Sequence, residues 1–81
     1  MGRVSGKADV EQQLVRLGNA VRARRHAISM SQEELADRAG LDRSHLGRIE
    51  RGERNVTLLN LMRVAEALNA RASELLADAT L

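Results

Sequence analysis

One short stretch of the chain, RSHLGRIER at residues 43–51, combines arginine, serine and histidine with two apolar residues three positions apart. In a helix, which turns by about 100° per residue, Leu46 and Ile49 would share one face. The opposite face and its flanks would then carry Arg43, Ser44, His45, Gly47, Arg48 and Arg51. Arginine can form two parallel hydrogen bonds to guanine, serine can donate or accept one, and glycine permits a close approach. These residue types at this spacing predict contact with the major groove of double-stranded DNA.

The residues ahead of this stretch predict the element that must support it. Ser31 and Glu34 have the S-x-x-E spacing of a capping box, so a helix begins there. Gly40 tolerates the left-handed backbone that ends a helix, and Asp42 can cap the next one. Two short helices therefore meet across a turn of about three residues, which is the spacing of a helix-turn-helix motif.

Three further helices are expected outside this pair. Apolar residues from Leu14 to Val21 keep helical spacing, which indicates a first helix over about residues 9–27. Thr57 can cap a fourth helix, because its hydroxyl can accept a hydrogen bond from the first turn. A short fifth helix is expected over residues 73–76.

Length and composition predict one small domain without catalytic chemistry. The chain has 81 residues and lacks proline, cysteine and aromatic residues. We expect a flexible N-terminal arm at residues 1–8 and a single domain at residues 9–81. So small a core cannot enclose a sizeable substrate pocket, so no enzyme, no catalytic residue and no cofactor is expected. Two histidines without a nearby cysteine or carboxylate pair cannot supply the three or four ligands of a zinc site, so no metal is expected either.

Charge is concentrated where the DNA contact is predicted. The net charge is +2, but four arginines and two glutamates lie between Arg43 and Arg54. Between Glu66 and Leu81 one arginine faces three acidic residues. No apolar run approaches the roughly 20 residues that cross a bilayer. We therefore expect a soluble cytoplasmic protein with no membrane partner.

The residues of these elements resemble the Cro and lambda-repressor type (XRE-like) of helix-turn-helix domain. The resemblance rests on SQEELA at 31–36, AGLDRSHLGRIERGERN at 39–55, LLNLMRVAEAL at 58–68 and VRARR at 21–25. It implies an all-α, compact five-helix domain that regulates transcription by sequence-specific DNA binding. More narrowly, LDRSHLGRIERGERNVTLLNL is similar to the controller proteins of restriction-modification systems.

The resemblance also implies roles for individual residues. The base-reading positions correspond to Arg43, Ser44 and Arg48. The positions that contact the DNA backbone correspond to Gln32, His45, Arg51 and Asn55. Two residues depart from the family pattern, because Ser29 replaces a common glycine and Arg24 replaces an apolar residue of the first helix.

Two contacts are expected from the apolar patterns of the helices, an ion pair inside the domain and an interface between two copies of the chain. Arg25 interrupts the stripe of the first helix and Glu50 lies beside the inward face of the third, and the family pattern joins these two positions in an ion pair. The fourth and fifth helices hold more apolar residues than a single domain can hide. We therefore expect a two-fold homodimer on a near-palindromic DNA site, with no small-molecule ligand. Its expected interface residues are Leu59, Met62, Leu75 and Leu76.

Other functions share parts of this pattern. The antitoxin of a toxin–antitoxin operon would use the same fold and add an acidic, apolar surface for its toxin. A protein-interaction module would keep the fold without DNA binding, but it would then lack the basic face of Arg43, Arg48 and Arg51. A solvated helix face is the plainest alternative, because charged outer faces are common.

Overall fold

Five helices form the part of the chain that this computed structural model describes, which is residues 3–81, with side chains from residue 12 onward. In chain order they are α1 (Arg3–Ala27), α2 (Gln32–Ala39), α3 (Arg43–Glu50), α4 (Leu58–Ala67) and α5 (Ala72–Asp78). No strand occurs within the described residues. The five-helix, all-α fold class predicted from the sequence is confirmed.

The first helix begins at Arg3, earlier than the sequence pattern indicated. Residues 3–8, which we expected in a flexible arm, are therefore helical, and residues 1 and 2 lie outside the described residues. Extending a helix adds one hydrogen bond for each residue that is ordered, whereas starting a new helix is unfavourable. Mobility of this arm in solution stays a prediction.

Capping residues begin and end these helices at the positions that the sequence predicts. The Ser31 hydroxyl accepts a hydrogen bond from the Glu34 N–H at 3.0 Å, and the Thr57 hydroxyl accepts one from the Asn60 N–H at 3.1 Å. Gly40 ends α2 with a left-handed φ of 72°. Asp42 has the extended backbone of an N-cap, but its side chain forms no capping hydrogen bond. The position of this cap was predicted correctly and its hydrogen bond was not.

The core lies where α2 packs against α4 and where α1 packs against α3 and α5. Its most completely buried apolar side chains are Val21, Leu35, Leu46, Val64 and Leu75. Among the described residues, none of the helices combines the length and the apolar character needed to cross a membrane.

The burial of Leu75 corrects one expectation. Leu75 was assigned to a dimer interface, but its exposed fraction is 0%. It closes the core because α5 packs against both α1 and α4 and turns this side chain inward. Leu75 is therefore not available to a second subunit.

Candidate nucleic-acid interface

The outer face of α3 is basic and exposed, and its inner face is buried. Leu46 and Ile49 are 0% and 2% exposed, so they anchor the helix to the rest of the domain. This is the orientation that their spacing predicts. On the other side the exposed residues are Arg43, Ser44, Arg48 and Arg51, and His45 is half-buried on the flank. The arrangement presents a row of hydrogen-bond donors on a convex helical surface, which is the shape that a major groove admits.

Gly47 lies under the side chain of Arg51. A Cβ atom placed on Gly47 would lie 3.1 Å from Arg51 Nη1, and the glycine itself is buried. Arg51 Nε in turn lies 3.1 Å from Glu53 Oε2. The absence of a side chain at Gly47 predicts a close approach of the nucleic acid there. In the structure, the guanidinium of Arg51 occupies that space.

A single buried carboxylate connects α3 to α1 and α2. Glu50 is 1% exposed, and its two oxygens accept hydrogen bonds from Arg25 Nε at 2.7 Å and Arg25 Nη2 at 2.9 Å. Gln32 Nε2, at the start of α2, donates to Glu50 Oε1 at 2.9 Å. Arg22 Nε lies 3.7 Å from the same oxygen. The structure thus brings Arg25 and Glu50 together and adds Gln32 and Arg22 to the group.

The partners of Glu50 decide its charge state. Burial alone would raise the pKa of this carboxyl group, but the hydrogen bonds from Arg25 and Gln32 and the charges of Arg25 and Arg22 outweigh burial. The pKa of Glu50 is therefore lowered, and the group stays ionised. Arg25 Nη1 also donates to the Met30 carbonyl at 3.0 Å, so the same arginine orders the turn between α1 and α2.

Two glycines bring the end of α3 against α1. A Cβ atom on Gly18 would overlap the backbone carbonyl oxygens of Glu50 and Ile49. A Cβ atom on Gly52 would lie 2.7 Å from the Cα atom of Val15. The backbones of α1 and the end of α3 therefore meet directly, and this contact fixes the distance between the two helices at that point. This contact could not be predicted from the sequence, because a glycine inside a helix is a poor helix former and gives no sign of its distant neighbour.

The remaining site residues lie at the borders of α3. Gln32 is half-buried at the start of α2, and Asn55 is exposed in the loop after α3. The Asn55 side-chain oxygen accepts a hydrogen bond from the Val56 N–H at 3.0 Å, which leaves its amide N–H groups directed away from that contact. Arg54 is exposed beside Asn55 and adds a positive charge that the sequence analysis did not assign.

Away from α3, an apolar patch on α4 is exposed. Leu58, Leu59 and Met62 are 70%, 65% and 52% exposed. Leu76, also expected at a dimer interface, is half-buried on α5. Leu59 and Met62 are thus accessible in the single chain, Leu76 partly so, and Leu75 is not.

Arg24, which replaces an apolar residue of the family pattern, has a partner in α5. Arg24 Nε lies 2.5 Å from Asp78 Oδ2. The hydrogen bond from Arg24 lowers the pKa of Asp78, so both groups stay charged. This pair links α1 to α5, and so the departure from the pattern does not leave an unpaired charge. In the portion with described side chains, no group of acidic or histidine residues could hold a metal ion.

Comparison with known proteins agrees with this geometry. Residues 21–75 match the helix-turn-helix family. The chain is 47% identical over 60 residues to control protein C.SmaI of Serratia marcescens, a match that covers 74% of this chain and 71% of that protein. The crystal structure of the restriction-modification controller protein C.AhdI from Aeromonas hydrophila has a TM-score of 0.75 and 48% identity, covering 76% of this chain and 94% of that one. The clp gene regulator ClgR from Corynebacterium glutamicum has a TM-score of 0.82 and 29% identity, covering 84% and 72%.

Proposed function

Because this chain belongs to the helix-turn-helix family and is a DNA-binding transcriptional regulator, we propose that it acts as the controller protein of a restriction-modification system. Its role is regulatory rather than catalytic, and it acts in the cytoplasm, where its DNA target lies. The likeness to C.SmaI and C.AhdI supports this role over that of an antitoxin.

The observation that carries the proposal is the exposed basic face of α3. Arg43, Ser44 and Arg48 share the outward side of a helix whose inward side is buried. Within the part of the chain that the structure describes, neither Arg43 nor Arg48 forms an ion pair, so both guanidinium groups are free to bind base edges. We assign base reading to Arg43, Ser44 and Arg48.

The residues around this face are assigned to the DNA backbone. Gln32 has two N–H groups on its amide nitrogen, and the hydrogen bond to Glu50 uses one of them. The second N–H can donate to a phosphate, so Gln32 can bind DNA and brace α3 at the same time. Arg51, His45 and Asn55 flank the same face and supply further donors toward the backbone.

We propose further that the exposed apolar patch on α4 joins two copies of the chain. Leu58, Leu59 and Met62, together with the half-buried Leu76 of α5, would be covered in a two-fold dimer. Such a dimer presents two copies of α3 to DNA, and their spacing requires half-sites about 34 Å apart, one helical turn. The preferred DNA is therefore near-palindromic.

Selection of bound sequences from a random pool of DNA duplexes tests this function. We expect enrichment of two inverted half-sites separated by about one helical turn. Enrichment of a single unrepeated half-site would contradict the dimer. Absence of any enriched sequence would contradict sequence-specific regulation.

A further inference from the structure

Glu53 places a carboxylate beside the basic face of α3. Between Arg43 and Asn55 the sequence has two glutamates, of which Glu50 is buried and Glu53 is exposed. Glu53 Oε2 lies 3.1 Å from Arg51 Nε. An acidic side chain is thus paired with an arginine that is assigned to the DNA backbone.

The backbone at the end of α3 holds Glu53 in this position. The Glu53 N–H donates to the Arg48 carbonyl at 2.9 Å, and the Gly52 N–H donates to the Ile49 carbonyl at 3.0 Å. Together with the left-handed φ of 73° at Gly52, these bonds form a Schellman motif. Gly52 also packs against the backbone of Val15 in α1. Glu53 therefore follows a rigid turn.

On its other side, Arg51 lies against α3 itself. Because Gly47 has no Cβ, the guanidinium of Arg51 lies against the helix surface, and a Cβ there would be 3.1 Å from Nη1. The guanidinium thus lies between Gly47 and Glu53, although about half of the Arg51 side chain stays exposed. It lies across the outer face of the helix that faces DNA in the proposed complex.

We propose that Glu53 restrains the affinity of this protein for DNA by pairing with Arg51. In the free protein the carboxylate partly neutralises the arginine, so a DNA phosphate that approaches Arg51 must compete with Glu53. Binding then releases fewer of the counterions that are condensed on the DNA. The restraint acts on the sequence-independent part of binding, because within the described part of the chain the Glu53 carboxylate pairs with Arg51 and not with Arg43 or Arg48. This inference rests on the proposed contact between Arg51 and the DNA backbone.

The direct test is Glu53→Gln, with the full chain titrated against the selected site and a scrambled site. We expect affinity for both duplexes to rise by the same factor, about two- to fivefold at low salt, the range of an exposed ion pair. The slope of log K against log salt should steepen by less than one unit, because Arg51 already supplies part of its counterion release in the unsubstituted protein. Asp37→Asn, which removes an exposed carboxylate on α2, is the charge-matched control and should change affinity less.

A double-mutant cycle with Arg51→Ala separates pairing from general charge. If Glu53 acts through Arg51, then Arg51→Ala costs about two- to fivefold more affinity in the Glu53→Gln background than in the unsubstituted protein. Equal cost in both backgrounds would mean simple repulsion and would overturn the proposal. Unchanged or weaker binding of Glu53→Gln would overturn it as well. If Arg51→Ala leaves all binding unchanged, the assignment of Arg51 to the backbone fails instead.

Discussion

At the scale of single residues, Glu50 connects three helices through one buried carboxylate. Its carboxylate is buried and accepts hydrogen bonds from Arg25 and Gln32, which belong to different helices. A buried charge is costly unless it is paired and hydrogen-bonded. The charge of Glu50 therefore depends on Arg25 and Gln32, and these three residues together fix the orientation of α3.

Loss of one partner should destabilise the fold. We expect Glu50→Gln or Arg25→Met to lower the free energy of unfolding by about 3–5 kcal/mol. The first substitution leaves the buried Arg25 cation without its carboxylate, and the second leaves the buried Glu50 carboxylate without its main cation. Arg63→Met, at an exposed position of α4, is the control and should stay within about 0.5 kcal/mol. Chemical denaturation followed by circular dichroism measures all three. If their midpoints moved equally, the buried pair would have no special role in stability.

The same carboxylate predicts a pH dependence. Because the pKa of Glu50 is lowered in the folded protein, its stabilising contribution is present above about pH 4.3, the pKa of an unperturbed glutamate. The contribution is lost as pH falls from that value through the folded pKa. The stability difference between the unsubstituted protein and Glu50→Gln should therefore shrink on acidification. Thermal unfolding at a series of pH values checks this, and a constant difference would contradict it.

At the scale of elements, direct backbone contact between α1 and α3 positions the outer face of α3, which we propose binds DNA. Gly18 leaves no room for a side chain because the carbonyl groups at the end of α3 lie against it. The turn between α1 and α2 contributes strain, because Ser29 has a left-handed φ of 53°. Both features can be tested by changing a single side chain.

Gly18→Ala should destabilise the protein although alanine is the better helix former. The added Cβ meets backbone carbonyls that cannot move without shifting α3, and overpacking of this kind costs about 1–3 kcal/mol. Gly47→Ala is the matched control, because its Cβ meets only the end of the flexible Arg51 side chain. We expect thermal unfolding to show a lower midpoint for Gly18→Ala and no lower midpoint for Gly47→Ala. An unchanged or raised midpoint for Gly18→Ala would contradict the close contact.

Ser29→Gly should stabilise the protein. A left-handed backbone costs a non-glycine residue about 1–2 kcal/mol, and the greater freedom of glycine in the unfolded chain offsets part of the gain. We expect a net gain of about 0.5–1 kcal/mol, which raises the unfolding midpoint by several degrees in a domain of this size. Ser73→Gly, the same substitution inside α5, should lower the midpoint. A decrease for both variants would refute the account of the turn.

The sequence was informative where structure depends on neighbours in the chain. Ser31, Gly40 and Thr57 act within one helical turn, so their capping roles could be predicted. The role of Gly18 depends on residues far along the chain, and no local pattern reveals it. Leu75 lies in a helix too short to define an apolar stripe, so its inward direction could not be predicted. The position of Arg51 over Gly47 was missed because a helical wheel does not show how a long side chain folds back.

At the scale of the whole molecule, we propose that the exposed apolar patch on α4 joins two copies of the chain. Met62→Glu should convert the proposed dimer to a monomer of 8.9 kDa, because a charge at the covered interface would be desolvated without a partner. Ile28→Glu, at an exposed apolar residue between α1 and α2, is the control and should leave the dimer intact. Sedimentation at micromolar concentrations distinguishes these outcomes. A monomer for the unsubstituted protein with and without DNA would contradict the dimer.

We propose that α3 reads bases with some of its side chains and binds the DNA backbone with others. Titration of the selected site and a scrambled site at several salt concentrations tests it with Arg43→Ala, Arg48→Ala and Arg51→Ala. We expect the first two variants to lose about 1–3 kcal/mol of discrimination each while weak, salt-sensitive binding to both duplexes remains. Arg51→Ala should weaken binding to both duplexes equally and reduce the salt slope by about one unit. Equal losses on both duplexes for all three variants would contradict the claim, because the arginines would then act only as interchangeable positive charge.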